Sequence, residues 1–161
     1  MSDDRIVLET MTRGHLASVV RIDQQVYPQP WSPSLWRQEV DLRETRRYTV
    51  ALVGDTLVGF SGLMLLAGDG RVSTMAVDPP AQRRGVATAL MNRLFGDALA
   101  ADVEALTLEV RISNTAARDL YRQFGFAPSG IRPNYYSDTN EDALIMWCHD
   151  PVAQMNKASA G

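Results

Sequence analysis

A basic, glycine-containing loop separates a strand-like run from a helix-like run in the middle of the chain. It follows the apolar run 75–77 and opens a helical pattern that continues to about residue 101. The loop residues are Gln82, Arg83, Arg84, Gly85, Val86, Ala87 and Thr88. The first turn of a helix has unpaired N–H groups and a partial positive charge, and glycine lets an anion approach the backbone. The pattern predicts a phosphate cradle, although a plain turn with two solvated arginines has the same local composition.

The known phosphate-binding motifs narrow the choice of ligand. The loop contains no Gly-Lys-Ser or Gly-Lys-Thr, so it is not a Walker motif. It also lacks the Gly-x-Gly-x-x-Gly pattern of dinucleotide-binding folds. The sequence therefore disfavours ATP and NAD, and it favours the pyrophosphate of an acyl-CoA.

Composition indicates one globular domain. A chain of 161 residues can bury a substantial core, and no apolar run approaches the roughly 20 residues that span a bilayer. The acidic start Met1–Asp4 does not resemble a signal peptide, and the single Cys148 fits a reducing compartment. We therefore expect a cytoplasmic protein with no membrane partner.

Charge and metal-ligand content exclude further classes. Sixteen Lys and Arg against nineteen Asp and Glu give a net charge of −3, which argues against direct nucleic-acid binding and is compatible with a cationic amine or basic peptide. One Cys and two His argue against a structural zinc site, so no metal is expected.

The pattern of elements predicts a mixed α/β fold with one sheet. The predicted order is a strand, two helices, three strands, a helix, a strand, a helix and a strand. Residues 128–137 are expected to be irregular. We predict a single domain over residues 1–149 and a flexible C-terminal tail over residues 150–161.

Several side chains are candidates for chemistry. Glu109 lies on the alternating strand 106–110, where it is either a solvent-facing carboxylate or a group that is paired or lines a cleft. Asn114 and Tyr121 are seven residues apart on one helix face, where the simplest interpretation is a helix cap and a core aromatic. Trp31, Tyr135 and Tyr136 either pack or grip a ligand.

The pattern Gln82-x-x-Gly85-x-Ala87 resembles the acyl-CoA motif, (Arg or Gln)-x-x-Gly-x-(Gly or Ala), of the GNAT superfamily of N-acetyltransferases. Other segments resemble the RimI-type bacterial ribosomal-protein-alanine N-acetyltransferases within it. These segments are Pro30-Trp31-Ser32, Leu108-Glu109-Val110-Arg111, Ser113-Asn114, Leu120-Tyr121, Gly125-Phe126, Arg132-x-Asn134-Tyr135-Tyr136 and Asp142-Ala143-x-Ile145-Met146. The resemblance covers residues 5–148.

This resemblance implies a single-domain α/β fold whose mixed central β-sheet splays into a V at a bulge, with helices on both faces. It implies acetyl-CoA as acetyl donor, with the cofactor arm on the backbone of Met75, Ala76 and Val77 and beside Asn114. The pyrophosphate would lie on the N–H groups of the loop that runs from Gln82 to Thr88. By the same resemblance Glu109 is the general base, Tyr121 is the general acid, and Trp31, Tyr135 and Tyr136 wall a peptide channel.

The implied reaction is acetylation of the N-terminal alanine of a small-subunit ribosomal protein by direct aminolysis. An α-amine has a pKa near 7.7 to 8.0 and a lysine near 10.4, so the α-amine is the easier nucleophile at neutral pH. Acetylation of lysine or of a small amine such as a polyamine or antibiotic is the alternative, and a non-catalytic acyl-CoA sensor is a third. A glutamate is a weak base, so we expect Glu109 to act through a water. We expect a monomer or weak dimer.

Overall fold

The structure is a computed structural model that describes residues 5–160, with side chains described as far as residue 155. The strands are β1 (Ile6–Thr10), β2 (Arg46–Val53), β3 (Thr56–Leu65), β4 (Asp69–Val77), β5 (Ala105–Arg111), β6 (Ala127–Tyr136) and β7 (Glu141–Cys148). The helices are α1 (Leu16–Val26), α2 (Pro33–Val40), α3 (Val86–Ala100), α4 (Thr115–Gln123) and α5 (Pro151–Ala160). The acidic start Met1–Asp4 and Gly161 lie outside the described residues.

One mixed sheet organises the molecule. Its strand order is β1-β2-β3-β4-β5-β7-β6, and every neighbouring pair is antiparallel except β4 and β5, which are parallel. This confirms the predicted α/β architecture. None of the described helices is both long and apolar enough to cross a bilayer.

The sheet carries a hydrophobic core on each face, because successive strand residues point in opposite directions. Val50 and Phe60 pack with Trp36 of α2 on one face, in a core that α1 completes. On the other face Met75 packs with Leu90, in a core built mainly on α3. The helices thus cover both faces, as predicted.

The sheet splits between β4 and β5. The two strands pair only from Asp69, opposite Ala105, to Arg71, opposite Thr107. Just beyond, Ser73 has no partner on β3, because Gly62 pairs with Thr74 while Leu63 pairs with Val72. Such a bulge bends a strand and increases its twist, and here it carries the rest of β4 away from β5. The predicted V is therefore confirmed, and it opens at residue 72.

A close approach makes glycine necessary opposite the bulge. A Cβ at Gly62 would come within 2.3 Å of the Tyr48 ring and 2.8 Å of Ser73 Oγ. Distances this short are not tolerated by real side chains, so any larger residue would push Tyr48 out of its buried position. Gly62 therefore helps to preserve the bend that separates the strands.

Two segments differ from the sequence prediction. Residues 127–136 form the edge strand β6, whereas residues 128–137 were predicted to be irregular. The strand has irregular register at Pro128–Gly130 and between Arg132 and Tyr136, and this obscures its pattern in the sequence. Residues 151–160, for which no helix was predicted, form α5, and the flexibility of this tail stays a prediction. Gln154 of α5 donates from Nε2 to the Gln123 carbonyl at 3.1 Å, which docks the helix against the end of α4.

Candidate active site

A cavity of about 340 Å³ lies where β4 and β5 separate. It brings together six of the residues predicted from the sequence, which come from five different parts of the chain. They are Trp31, Met75, Glu109, Tyr121, Tyr135 and Tyr136. Pockets at the point where strands of a sheet diverge are common ligand sites. The predicted catalytic and channel residues therefore share one cleft.

Glu109 points into this cavity from β5, and its side chain is only 9% exposed. Its neighbours in sequence, Leu108 and Val110, are buried on the opposite face. The residue is thus not a solvent-facing carboxylate of an amphipathic strand. It is paired and it lines a cleft.

The partner of Glu109 is Arg71, which the sequence analysis did not identify. Arg71 Nη2 donates to Glu109 Oε2 and also reaches the Tyr135 hydroxyl at 3.3 Å. A second arginine, Arg132, has its Nη2 atom 3.9 Å from Glu109 Oε1. No local pattern marks Arg71 as special, because the pairing joins residues that are 38 positions apart in the chain.

Tyr121 reaches the cavity from α4 and is 8% exposed. Its ring packs edge-on against Phe126 with the centroids 5.8 Å apart. Burial, and to a lesser extent the neighbouring phenols Tyr27 and Tyr136, raises the pKa of Tyr121. The phenol is therefore protonated throughout the neutral range and has a proton to donate.

Tyr135 and Tyr136 form one wall of the cavity. Their rings meet edge-on at 5.0 Å, with an interplanar angle of 89°. The Arg111 guanidinium lies over the Tyr136 ring at 4.0 Å and forms an ion pair with Asp138 at 3.0 Å, which fixes the ring against the β6–β7 connection. Burial raises the pKa of Tyr136 to about 12.

Trp31 also lines the cavity, and its backbone is held by a buried carboxylate. Asp23 Oδ2 accepts from the Trp31 backbone N–H at 2.9 Å and from Trp36 Nε1 at 3.0 Å. Asp23 is 2% exposed, and burial raises the pKa of its carboxyl group. Trp36 is wholly buried.

A second residue missed by the sequence analysis is Tyr27, whose hydroxyl donates to the Met75 carbonyl. No local pattern marks Tyr27, because its contact with Met75 joins residues that are 48 positions apart. Met75, Ala76 and Val77 are buried and belong to the part of β4 that no longer pairs with β5. The β5-facing edge of this segment therefore offers backbone groups to a ligand.

The predicted phosphate cradle lies at the start of α3. Arg83 and Gly85 both have left-handed backbone conformations, with φ of 66° and 83°, and Gly85 is the residue before the helix. No side chain among the described residues caps this end, and a Cβ placed on Gly85 would have open space within 4 Å. Val86 is buried, whereas Arg83, Arg84 and Thr88 are exposed. An uncapped, exposed helix start with two arginines fits a pyrophosphate group.

Three other predicted residues lie away from the cavity. Gln82 donates from Nε2 to the Val77 carbonyl at 3.2 Å and so ties the loop to the end of β4. Ala87 is half-buried in the first turn of α3. Asn114 caps α4, its Oδ1 accepting from the Ala117 N–H at 3.2 Å. The cap interpretation of Asn114 is thus confirmed, and its contact with a cofactor stays a prediction.

Cys148 is buried at the end of β7 and does not line the cavity. Burial raises the pKa of its thiol, so the thiolate needed for attack on a thioester is disfavoured. Direct transfer to an amine therefore suits this site better than a cysteine-bound intermediate.

Comparison with known proteins places the chain in a family. The model of the acetyltransferase (GNAT) family matches residues 16–126. A ribosomal protein bS18-alanine N-acetyltransferase of Escherichia coli is 33% identical over 141 residues, which are 86% of this chain and 94% of that protein. The N-alpha-acetyltransferase RimI of Mycobacterium tuberculosis is 32% identical over 147 residues, which are 88% of this chain and 90% of that protein.

A solved structure agrees with these sequence relationships. The crystal structure of the ribosomal-protein-S18-alanine N-acetyltransferase from Escherichia coli superposes with a TM-score of 0.81 at 30% identity, covering 89% of this chain and 92% of that one. The chain therefore belongs to the GNAT family of acetyltransferases, and it is an acyltransferase that uses acetyl-CoA as its acetyl donor.

Proposed function

We propose that this chain is an N-alpha-acetyltransferase that acetylates the N-terminal alanine of a small-subunit ribosomal protein. The observation that carries the proposal is the shared cavity, which is lined by Glu109 and Tyr121 together with the aromatic side chains of Trp31 and Tyr135. The names of the two relatives, an acetyltransferase of bS18 alanine and an N-alpha-acetyltransferase, support the same substrate class.

Acetyl-CoA supplies an acetyl group already activated as a thioester. The N–H groups from Arg83 to Thr88 would hold its pyrophosphate, with Gly85 allowing close approach. The free edge of β4 at Met75, Ala76 and Val77 would bind its arm, and Asn114 would contact the arm from α4. In this arrangement the backbone near Val77 would polarise the thioester carbonyl.

Glu109 would take the proton of the attacking amine through a water. Making an α-amine neutral at pH 7 costs only about 1 kcal/mol, whereas a lysine costs roughly 4 to 5 kcal/mol. Proton removal by Glu109, which Arg71 holds in place, is therefore easier for the amine with the lower pKa. This difference favours an N-terminal amine over a lysine side chain.

Tyr121 would act on the leaving group. Its raised pKa keeps the phenol protonated, so the hydroxyl can donate a hydrogen bond to the departing thiolate. Complete proton transfer from so weak an acid is uphill, and stabilisation of the developing negative charge is therefore its main contribution.

A matched pair of peptides tests this function. Both carry the same sequence with an N-terminal alanine and one internal lysine, and one of them has its N-terminal amine blocked. Mass spectrometry of the products, with the acetyl group located by fragmentation, should find acetylation of the free peptide at its α-amine only. Acetylation of the blocked peptide at a comparable rate would instead favour the lysine or small-amine alternative.

A further inference from the structure

The charged groups around Glu109 are unevenly matched. Arg71 forms a hydrogen-bonded ion pair with the carboxylate, and Arg132 lies 3.9 Å from its other oxygen. Asp23, the other carboxylate in the cavity wall, is occupied by the N–H groups of Trp31 and Trp36 and is 2% exposed. Two guanidinium groups therefore lie within 4 Å of the Glu109 carboxylate, so positive charge outweighs negative charge in its immediate surroundings.

The arginine is more accessible than its acidic partner. The side chain of Arg71 is 36% exposed, whereas that of Glu109 is 9% exposed. Arg71 lines the cavity and contacts the Tyr135 hydroxyl at 3.3 Å, so its guanidinium forms part of the surface that a peptide meets on entry. Arg132 lies further out, is 57% exposed, and has its guanidinium 5.8 Å from the Tyr135 ring centroid.

The reach of a peptide links this charge to one substrate position. In the function proposed above, the reacting amine must come to the carboxylate of Glu109, which Arg71 contacts directly. One residue advances an extended chain by at most about 3.3–3.6 Å. The side chain of the second peptide residue therefore passes within reach of the Arg71 guanidinium.

We propose, building on the N-terminal acetylation proposed above, that Arg71 is a specificity-determining residue. It makes the site prefer peptides with an acidic side chain at the second position over peptides with a basic one. A partly exposed charge pair of this kind changes relative rates by about three- to tenfold at low ionic strength, and added salt weakens the effect.

The test compares three peptides that differ only at the second position, Ala-Glu, Ala-Gln and Ala-Lys. Their kcat/KM values are measured for the wild type, for Arg71→Gln and for Arg71→Glu. Arg37→Gln is the control, because it removes the same charge from the groove between α1 and α2, away from the cavity. Acetyl-CoA titration and thermal unfolding establish that each variant is folded.

For the wild type and Arg37→Gln we expect kcat/KM to decrease in the order Ala-Glu, Ala-Gln, Ala-Lys. The differences among the three values should become smaller as salt is added. Arg71→Gln should remove most of the preference, and Arg71→Glu should invert it. An arginine that is merely structural would lower all three rates together and leave their ratios unchanged. Equal kcat/KM values for the three peptides with the wild type would overturn the proposal. Ratios that persist in folded Arg71 variants would also overturn it. Should the variants not fold, the wild-type ratios alone decide the outcome.

A parallel set separates this proposal from the proposed function. It consists of N-terminally blocked peptides whose single lysine is followed by glutamate or by arginine. Acetylation of this set alone would overturn the N-terminal function. The effect of the neighbouring charge, compared between the wild type and Arg71→Glu, would still decide whether Arg71 selects substrates.

Discussion

Arg71 and Glu109 form an ion pair across the point where β4 and β5 part. Arg71 is the last residue of β4 that pairs with β5, and Glu109 lies two positions beyond its partner Thr107. The pair therefore spans the apex of the split in the sheet, so the bulge that opens the cavity also places its charged residues.

Replacing Glu109 with glutamine should reduce kcat by about 10²- to 10³-fold, because the amide cannot accept the amine proton. Binding of acetyl-CoA, measured by calorimetry, should stay near the wild-type value, since the predicted cradle lies on α3. Glu104→Gln is the control, because Glu104 is exposed before β5. Unchanged turnover in Glu109→Gln would exclude the carboxylate as the base.

Replacing Tyr121 with phenylalanine should lower kcat by about 10²-fold while leaving the fold intact. The ring, which packs on Phe126, is retained and only the hydroxyl is lost. Tyr48→Phe removes a hydroxyl bonded to Glu39 at 2.7 Å in the other core and should keep near-normal turnover. If the two variants are equally active, Tyr121 does not assist the leaving group.

Replacing Gly85 with alanine should weaken acetyl-CoA binding several-fold. Gly85 has a φ of 83°, and a left-handed alanine costs roughly 1–2 kcal/mol, which favours rearrangement of the loop before α3. Gly54→Ala is the matched control: this turn glycine also has a left-handed φ, of 61°, and open space around its Cβ position. Both variants should lose stability in urea unfolding, but only Gly85→Ala should raise the Kd for acetyl-CoA. Equal affinities in the two would argue against a cradle at this loop.

Asp23 should make the protein less stable as pH rises. Burial raises its pKa in the folded state above the ordinary value, so between these two values the folded state binds more protons than the unfolded state. The free energy of unfolding attributable to Asp23 therefore falls as pH rises from about 4 through its folded pKa. Urea unfolding of the wild type and Asp23→Asn across this window should show a difference that changes in that direction. A constant difference between the two proteins would mean that Asp23 titrates normally.

The fold was predictable where local pattern and topology agree. The alternating strand around Glu109 and the glycine before α3 have short-range signals, and the structure confirms both. Strand β6 was not predictable, because Pro128, Pro133 and Asn134, which has a left-handed backbone, are typical of a loop. An exposed edge strand also needs no alternation of apolar residues. Helix α5 lacks a strong apolar stripe, and the contact of Gln154 with the end of α4 is invisible in the sequence.

The candidate site divides in the same way. Glu109, Tyr121 and the tyrosine pair were identified because they belong to recognisable sequence patterns. Arg71 and Tyr27 were missed, because their contacts with Glu109 and Met75 join distant parts of the chain. The register of β4 and β5 brings Arg71 to Glu109, and the packing of α1 against β4 brings Tyr27 to Met75.

N-terminal acetylation is tested most directly on the natural class of substrate. Small-subunit ribosomal proteins from cells that lack this chain are incubated with the purified protein and acetyl-CoA, and the products are analysed by mass spectrometry. We predict one added acetyl group on the α-amine of a protein that begins with alanine, and no addition with Glu109→Gln. Acetylation confined to lysine side chains, or no acetylation by enzyme that binds acetyl-CoA, would contradict it.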